Sequence, residues 1–252
     1  MNILVTGGAG YIGSHVVAEL KKRGFTPIVY DNLSTGHAAA VPEDVQLVEG
    51  DIHNVEFVRH ILEQFNIDAV IHFAASSLVG ESMTAPAKYY FNNVEGTLHL
   101  LEAMRGAGVD KIVFSSTAAV YGEPAATPIK EDFPLQPTNV YGRTKMVIEG
   151  MMKDYDRAYE MRYVALRYFN AAGAALDGHI GEDHNPESHL IPLVLKTAQG
   201  VRKQVAIYGT DYPTLDGTCL RDHIHVCELA DEHVLALQYV LKGRLSTVFN
   251  TG

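Results

Sequence analysis

The stretch NILVTGGAGYIG, residues 2–13, decides the fold of this 252-residue chain. Its apolar run Ile3–Thr6 predicts a buried strand, and Gly10–Arg23 predicts the helix that follows. Gly7, Gly10 and Gly13 form a G-x-x-G-x-x-G pattern in the turn between them. Such glycines let the backbone approach a pyrophosphate, while the helix N-terminus offers free N–H groups and a positive dipole end. The position of the turn therefore predicts a dinucleotide site, although a tight strand–helix turn without a ligand would use the same glycines.

Strand-length apolar runs alternate with helix-length amphipathic segments as far as residue 170. Because the runs are continuous rather than alternating, the strands should be buried on both faces. This alternation predicts right-handed βαβ units and an α/β fold with a doubly wound parallel (Rossmann) sheet over residues 1–170. The further predicted strands are Pro27–Tyr30, Gln46–Val48, Ala69–Phe73, Lys111–Ser115 and Tyr163–Tyr168, and the further helices are Val55–Phe65, Pro86–Arg105 and Val140–Tyr159.

The character of the chain changes after residue 170. Ala171–Ser188 is rich in Gly, Asp, His and Glu and is typical of a loop. The final residues, 249–252, read as a strand running into a turn, which is an odd place for a domain to finish. We expect residues 171–252 to form a smaller, truncated substrate domain whose C-terminal portion is missing. Its predicted elements are helices over Leu190–Gln199 and Cys227–Val240, a short strand over Val205–Tyr208 and a turn over Asp211–Gly217.

Composition excludes several function classes. The formal charge is −10, from 20 basic and 30 acidic residues, and no basic run is present. Nucleic acid and anionic membrane surfaces are therefore not expected partners. No run reaches the roughly 20 apolar residues of a membrane span. The two cysteines, Cys219 and Cys227, form no C-x-x-C pair, and a reducing cytoplasm fits this usage.

Asp31 lies eighteen residues after Gly13, at the end of the second predicted strand. A carboxylate in this position accepts hydrogen bonds from the adenosine ribose hydroxyls and repels a 2′-phosphate. Asn32, not an arginine, follows it, so the sequence favours NAD over NADP. The alternative interpretation is an aspartate that only caps a loop.

Two further strand ends supply candidate cofactor contacts. Asp51 follows the third strand and would receive the adenine amino group, with the Ile52 amide beside it; a helix N-cap is an equal alternative for Asp51. Phe73, Ala74 and Ala75 end the fourth strand, where small residues let the backbone pass close to a cofactor. Core packing explains Phe73 equally well.

YGRTK at residues 141–145 places a phenol and an ammonium four residues apart, on one face of a helix. A neighbouring cation stabilises a phenolate, so Lys145 is expected to lower the pKa of Tyr141 and let it exchange protons with a substrate hydroxyl. Alone, this spacing is common and usually structural. The hydroxyls of Ser115, Ser116 and Thr117 end the fifth strand at the same edge, although a serine–threonine run is also ordinary loop chemistry.

Together these motifs resemble the extended short-chain dehydrogenase/reductase superfamily and, within it, the UDP-galactose (UDP-glucose) 4-epimerase family. The resemblance rests on the glycine pattern at 7–13, DN at 31–32, GDI at 50–52, HFAA at 72–75, SSTAAVYG at 115–122, YGRTK at 141–145 and RYFNAAGA at 167–174. AIYGTDYPTLDGTCLRDHIHV at 206–226 is a more specific match.

The resemblance implies an enzyme with tightly held NAD that inverts C4 of a UDP-hexose through a transient 4-keto sugar. Tyr141 would take the proton of the 4-hydroxyl, Lys145 would keep it ionised, and Thr117 would hydrogen-bond the reacting oxygen. Ala118 and Ala119 stand where related 4,6-dehydratases carry an acidic pair, which disfavours dehydration. Alternatives are an epimerase of UDP-N-acetylhexosamine, UDP-xylose/arabinose or a UDP-uronate, and a non-catalytic NAD-binding fragment or sensor.

The same resemblance implies the remaining site residues. It also implies a homodimer whose interface is formed by the helices Pro86–Arg105 and Val140–Tyr159. The alternative role for Arg221 is a salt bridge to Asp222 or to another acidic residue. Histidines at 179, 184 and 189 match no zinc template, so no metal is predicted. The implied cofactor contacts are Gly7, Gly10, Tyr11, Ile12, Gly13, Asp31, Asn32, Asp51, Ile52, Phe73, Ala74, Ala75, Asn92, Ser115, Tyr141, Lys145 and Tyr168; the implied substrate contacts are Ser116, Thr117, Tyr141, Asn170, His189, Leu190, Tyr208 and Arg221.

Overall fold

A seven-stranded parallel sheet forms the centre of the protein, in a computed structural model that describes residues 1–252. The strand order is β3-β2-β1-β4-β5-β6-β9. This confirms the doubly wound parallel sheet predicted from the alternating apolar runs. The strands are β1 (Asn2–Thr6), β2 (Thr26–Asp31), β3 (Gln46–Glu49), β4 (Ile67–His72), β5 (Lys111–Ser115), β6 (Arg162–Tyr168) and β9 (Thr247–Thr251).

The order of the strands reverses at β1, which has β2 on one side and β4 on the other. The helix between β1 and β2, Tyr11–Lys22, covers one face of the sheet, and the helices between β4 and β6, Gly96–Ala107 and Val140–Tyr159, cover the other. The loops that follow β1 and β4 diverge and leave a crevice at the carboxyl ends of the strands, which is where ligands bind in such sheets. The predicted site residues that directly follow a strand of this sheet all lie at this carboxyl edge.

Helices cover both faces of the sheet and bury two separate apolar clusters. One cluster joins the sheet to α2, α5 and α6, and the other joins it to α1 and α8. No helix combines the length and apolar character needed to cross a membrane. The helices are α1 (Tyr11–Lys22), α2 (Val55–Gln64), α3 (Val79–Thr84), α4 (Pro86–Tyr89), α5 (Gly96–Ala107), α6 (Val140–Tyr159), α7 (Leu190–Ala198) and α8 (Val226–Leu241).

Helix α6, which carries the YGRTK motif, has the predicted bounds. The side chain of Asn139 caps its N-terminus by accepting a hydrogen bond from the Gly142 N–H at 2.8 Å. Glu160 ends it in the left-handed conformation, at φ +56°. The helix predicted over Pro86–Arg105 is instead interrupted, because a π-helical segment, Tyr90–Glu95, separates α4 from α5.

The predicted strand Val205–Tyr208 is wrong. Ile207 and Tyr208 are exposed and no strand lies beside them, so their β-forming side chains have no sheet to join. The predicted loop beginning at Ala171 instead contains part of a strand, β7 (Asn170–Ala172). It pairs in parallel with β8 (His223–His225) in a separate two-stranded sheet.

The last two elements, α8 and β9, lie within residues 171–252 and pack against the large sheet. Strand β9 pairs in parallel with β6, aligning Val164 with Thr247 and Tyr168 with Thr251. Helix α8 packs beside α1, and its buried residues Leu229, Val234 and Leu237 face the core. The segment outside the main sheet is thus residues 170–225, held at its base by β7 and β8.

Candidate active site

The glycine-rich turn after β1 forms a backbone cradle at the N-terminus of α1. Gly7 has φ +74°, and a Cβ there would lie 2.6 Å from the Ala74 nitrogen at the end of β4. A Cβ on Gly13 would overlap the Gly7 carbonyl oxygen. No side chain caps the N-terminus of α1 at Gly10, so the amides of the first turn, at Tyr11 and Ile12, remain available. These features fit the pyrophosphate of a dinucleotide.

Asp31 shapes the loop that would receive the adenosine ribose. Its Oδ2 accepts the Ala9 N–H at 3.0 Å and its Oδ1 accepts the Leu33 N–H at 2.9 Å. The loop-capping alternative is therefore present in the structure. It does not exclude a ribose contact, because a carboxylate has about four acceptor sites and two remain.

Asp51 lies beside Asn32 at the ends of β3 and β2, and the Asn32 Nδ2 donates to Asp51 Oδ2 at 3.3 Å. The N-cap alternative for Asp51 is wrong, because the side chain of Asn54 caps α2 by accepting the Phe57 N–H at 3.1 Å. Asp51 Oδ1 instead accepts the His53 N–H at 2.9 Å. Ile52 is buried beneath this pair.

The predicted catalytic residues come together at the carboxyl ends of β5 and β6. Tyr141 and Lys145 stack on one face of α6, with the Lys145 Nζ 5.8 Å from the centre of the Tyr141 ring. Lys145 Nζ donates to the Ser115 carbonyl at 2.7 Å, which ties α6 to the end of β5. Thr117, two residues further on, caps a short 3-10 helix by accepting the Ala119 N–H at 3.1 Å, and its hydroxyl lies near the phenol.

Burial, not the neighbouring ammonium, controls the ionisation of both groups in this structure. Burial raises the pKa of Tyr141 above its ordinary value, and the nearby Thr117 hydroxyl lowers that pKa by less. Burial lowers the pKa of Lys145 to about 7, although nearby Glu149 opposes the shift. The expectation that Lys145 brings the phenol pKa towards neutrality is thus not met in the free chain, since a low-dielectric site disfavours both charged forms.

A buried hydrogen-bond network holds the other end of the site, and sequence reasoning missed its central residues. Asn93 Nδ2 donates to the Ser76 carbonyl at 3.0 Å and to Thr144 Oγ1 at 3.2 Å, joining the end of β4 to α6. Ser82 Oγ accepts the Tyr141 N–H at 3.2 Å. No pattern in the sequence singles out Asn93, but Thr144 lies within the YGRTK motif. The neighbouring Asn92 donates to Asn93 Oδ1 at 2.9 Å.

Ser115 and Tyr168 meet across β5 and β6, with their hydroxyl oxygens 2.5 Å apart. Burial raises the pKa of Tyr168 to about 12, so this phenol stays neutral. Phe73 packs against His233 of α8, with ring centres 4.8 Å apart, as the packing alternative for Phe73 requires. Ala75 follows it at the half-buried edge of the crevice.

The predicted substrate residues are spread over a wider area than the predicted catalytic residues. Ser116 points inwards and donates to Glu149 at 2.5 Å. Asn170 Nδ2 donates to the Asp222 carbonyl at 2.7 Å, so it joins β7 to β8. Tyr208 is 90% exposed, and Leu190, the first residue of α7, is also exposed. Arg221 forms no ion pair with Asp222 or any other acid, and its Nη1 donates only a 3.4 Å hydrogen bond to the Leu220 carbonyl.

His189 lies in a group of ionisable side chains rather than alone. Its Nδ1 is 2.6 Å from Glu182 Oε1, and His184 Nδ1 is 3.2 Å from the same oxygen. The His184 ring also meets the edge of Tyr11, with ring centres 6.0 Å apart. Tyr11 in turn donates to the Gly173 carbonyl at 2.7 Å. The loop before α7 is therefore in contact with the first turn of the nucleotide-binding helix.

Comparison with protein families gives a match over residues 3–252 to the NAD dependent epimerase/dehydratase family. The UDP-glucose 4-epimerase of Lacticaseibacillus casei is 53% identical over 252 residues, covering 100% of this chain and 76% of that protein. The corresponding enzyme of Halalkalibacterium halodurans is 56% identical, over 100% of this chain and 75% of its own length.

Solved structures give the same result for the fold. The crystal structure of UDP-glucose 4-epimerase from Brucella ovis in complex with NAD superposes with a TM-score of 0.97 at 50% identity. The match covers 100% of this chain and 77% of that one. The likeness therefore includes both the large sheet and the segment between β6 and α8.

Proposed function

The chain belongs to the NAD dependent epimerase/dehydratase family, and we propose that its residues Thr117, Tyr141 and Lys145 carry out the inversion at C4 of a UDP-hexose. The chain is an NAD-dependent epimerase of UDP-hexoses that acts at C4, as its relatives are. The interconversion of UDP-galactose and UDP-glucose would pass through a transient 4-keto sugar. The observation that supports the residue assignment is the buried pairing of Tyr141 with Lys145 beside Thr117, at the crevice edge of the sheet.

Bound NAD supplies the hydride acceptor and donor and a positive charge on its nicotinamide ring. The glycine cradle and the uncapped N-terminus of α1 would hold its pyrophosphate, and Asp31 its adenosine ribose. Lys145 would contact the nicotinamide ribose while its Nζ keeps the hydrogen bond to the Ser115 carbonyl. These residues fix the cofactor against the hydroxyls of Thr117 and Tyr141.

Proton transfer at the sugar 4-hydroxyl falls to Tyr141. In the free chain burial keeps its phenol protonated, so ionisation requires a positive charge close to the ring. Protonated Lys145 and the bound nicotinamide would provide it. The Thr117 hydroxyl would hydrogen-bond the reacting oxygen and relay the proton. After the 4-keto sugar has turned so that its other face receives the hydride, Tyr141 would return the proton to the C4 oxygen and complete the epimer.

The segment between β6 and α8 would hold the UDP group. Its exposed, unpaired Arg221 can grip a phosphate through two parallel N–H groups, and Asn170 and Leu190 would lie beside the diphosphate. Tyr208 would stack near the uracil, where its exposed ring has no other partner. Residues of this segment would also select among UDP-hexoses, UDP-N-acetylhexosamines, UDP-pentoses and UDP-uronates.

Assaying the purified chain with NAD and UDP-galactose tests the proposal directly. We expect UDP-glucose to form without net consumption of NAD. The other UDP-sugars should be turned over more slowly than UDP-galactose. Bound NAD without turnover of any UDP-sugar would favour a non-catalytic NAD-binding protein instead. Alanine replacement of Arg221 should raise the KM for UDP-galactose far more than it lowers kcat, if Arg221 grips the diphosphate.

We further propose a cytoplasmic homodimer. Apolar side chains are exposed along the π-helical segment and α5, including Phe91 at 55% and Leu98 at 39%. Apolar faces of this kind mark protein interfaces. Both cysteines are free thiols, which agrees with a compartment that keeps thiols reduced. Light scattering after gel filtration should give twice the chain mass, and Leu98→Glu should shift it to the monomer mass.

A further inference from the structure

Four side chains of the loop before α7 converge on one point. They are Glu182, His184, Glu187 and His189, and their potential ligand atoms all lie within 4.8 Å of one another. We call this group the loop cluster. It lies outside the predicted catalytic triad and is supplied by one short stretch of chain, so its geometry depends on the local conformation of this loop.

The loop cluster contains a buried oxygen without a partner. The Glu182 and Glu187 side chains are only 6% and 5% exposed. Glu187 Oε1 accepts the N–H groups of Ser188 and His189, both at 2.8 Å, which fixes the carboxylate. Glu187 Oε2 has no hydrogen-bond partner and lies 4.0 Å from His184 Nδ1. A buried carboxylate oxygen left in this way is costly unless a cation binds it.

We propose that the loop cluster is a structural Zn²⁺ site with four protein ligands. Zn²⁺ bonds to imidazole nitrogen and carboxylate oxygen are about 2.0–2.2 Å long, so neighbouring ligand atoms in a tetrahedral site are about 3.4 Å apart. Glu182 Oε1 lies 2.6 and 3.2 Å from the Nδ1 atoms of His189 and His184, and the unpartnered Glu187 Oε2 lies 4.0 Å from His184 Nδ1. These three distances lie on both sides of that value, so small rotations of the side chains would bring the four ligand atoms into a tetrahedral arrangement.

The ligand set also selects the kind of metal. Ca²⁺ and Mg²⁺ take oxygen ligands, so two imidazoles disfavour both ions. Imidazole with carboxylate suits Zn²⁺, which has no d-electron preference and tolerates an irregular tetrahedron. One dication also balances the two buried carboxylates while both imidazoles stay neutral. With every position filled by protein, the site holds no water to activate and would be structural.

Zn²⁺ at the loop cluster would fix the segment that leads into α7 and contacts Tyr11. His189, which the resemblance assigns to the substrate, would then be a metal ligand that holds Leu190 in place. The metal would act on the substrate side only by ordering this loop. This inference goes beyond the proposed function, and the epimerisation described above needs no metal.

The test uses the full chain with any affinity tag removed, stripped with a chelator, incubated with excess Zn²⁺ and desalted. We expect about one zinc per chain by elemental analysis and a higher Tm with Zn²⁺ than without it. Glu187→Gln and His184→Gln should each weaken zinc binding at least ~10-fold. Asp183→Asn and His179→Gln are matched controls from the same loop outside the cluster, and should keep wild-type zinc content.

Co²⁺ provides a readout that does not depend on any variant. A tetrahedral site with nitrogen and oxygen ligands gives bound Co²⁺ strong visible absorption, which Zn²⁺ should abolish by displacement. Zinc-free wild-type chain after incubation, or zinc retained equally by Glu187→Gln and the controls, would overturn the proposal. Because metal content is measured without a UDP-sugar, failure here would leave the proposed epimerase activity untouched, and loss of activity would leave this site untouched.

Discussion

Arg167 and Glu149 form a two-pronged ion pair in the interior, with Nη2–Oε2 and Nε–Oε1 distances of 2.6 and 3.0 Å. Their side chains are 5% and 7% exposed. Glu149 lies one turn beyond Lys145 on α6, and its Oε1 also accepts the Ser116 hydroxyl. The pair therefore fixes α6 against the ends of β5 and β6, directly beneath the residues proposed to do the chemistry.

Removing one partner of this pair should destabilise the protein strongly. Arg167→Met leaves the Glu149 carboxylate buried without its cation, which costs about 3–5 kcal/mol in the free energy of unfolding. The double variant with Glu149→Gln removes the stranded charge, keeps an acceptor for Ser116 and should recover much of that loss. Chemical denaturation measures both values.

An exposed pair serves as the control for that experiment. Arg59 and Glu63 lie one turn apart on α2, with Nε–Oε1 at 2.9 Å, and both are open to solvent. Because water and salt screen such a pair, Arg59→Met should barely change the denaturation midpoint. A similar loss from both arginine variants would show that the Arg167 effect does not come from burying a charge.

Tyr141→Phe removes the group proposed to exchange the proton and leaves the ring in place. Since general acid–base catalysis contributes about 10²–10⁴-fold, kcat should fall by at least ~10² while NAD stays bound. Steady-state assays with UDP-galactose and the absorbance of the bound cofactor measure the two effects. Turnover within tenfold of the wild type would remove Tyr141 from the mechanism.

Lys145 should make stability depend on pH. Its pKa is about 7 in the folded chain and near 10.4 in an unfolded one, so the unfolded state binds more protons between these values. The free energy of unfolding contributed by this group therefore rises with pH from about 7 to about 10. In Lys145→Met the free energy of unfolding should rise less with pH over this window, because the variant lacks the titrating amine.

Urea denaturation of both proteins at several pH values within that window, without NAD, checks the Lys145 prediction. The comparison is made as wild type minus variant, because buried tyrosines such as Tyr168 titrate above this range and lower stability there in both proteins. Parallel curves for the two proteins would mean that Lys145 is not held neutral by burial.

Asp31→Asn should weaken NAD binding and narrow the preference for NAD over NADP. A hydrogen bond to a charged group contributes about 1.5–3 kcal/mol, which corresponds to a roughly 10- to 100-fold loss of affinity for NAD. Loss of the negative charge should leave NADP binding unchanged or improved. Fluorescence titration with each cofactor gives both values, and an unchanged ratio would refute the role of Asp31 in selecting the cofactor.

Two glycine variants separate the cofactor cradle from general helix stability. Gly13→Ala would push a methyl group into the Gly7 carbonyl oxygen, so we expect NAD binding and folding to suffer together. Gly150 lies exposed on α6 with nothing near its Cβ position, and Gly150→Ala should stabilise the protein by about 0.5–1 kcal/mol. Thermal unfolding with and without NAD distinguishes the two effects.

The sequence was most informative where local signals agreed with burial. Helix α6 has its predicted bounds because Asn139 is a strong N-cap and the helix has a well-defined apolar face. Five of the first six strands were recognisable as buried apolar runs, whereas β3, at the edge of the sheet, has no fully buried residue. The destination of β9 was not, because a strand carries no local sign of which edge it joins, and only the open side of β6 decides it.

Prediction failed where contacts distant in sequence decide the outcome. Val205–Tyr208 has strand-forming residues but no neighbouring strand, and the π-helical break before α5 follows no local breaker residue. The residue types of the site were recognisable from motifs. Its ionisation was not, because burial of Tyr141 and Lys145 outweighs their proximity, and burial depends on the whole fold.

The short pairing of β7 with β8 makes the region that would hold the UDP-sugar modular. Asn170 aligns with His223, so the excursion that begins after β6 ends beside its own starting point, just before α8. Insertions, deletions or exchanges between these two strands need not shift the register of any strand in the seven-stranded sheet. The sugar that is accepted can therefore change through substitutions in this one excursion of the chain, while the strands that would hold NAD keep their register.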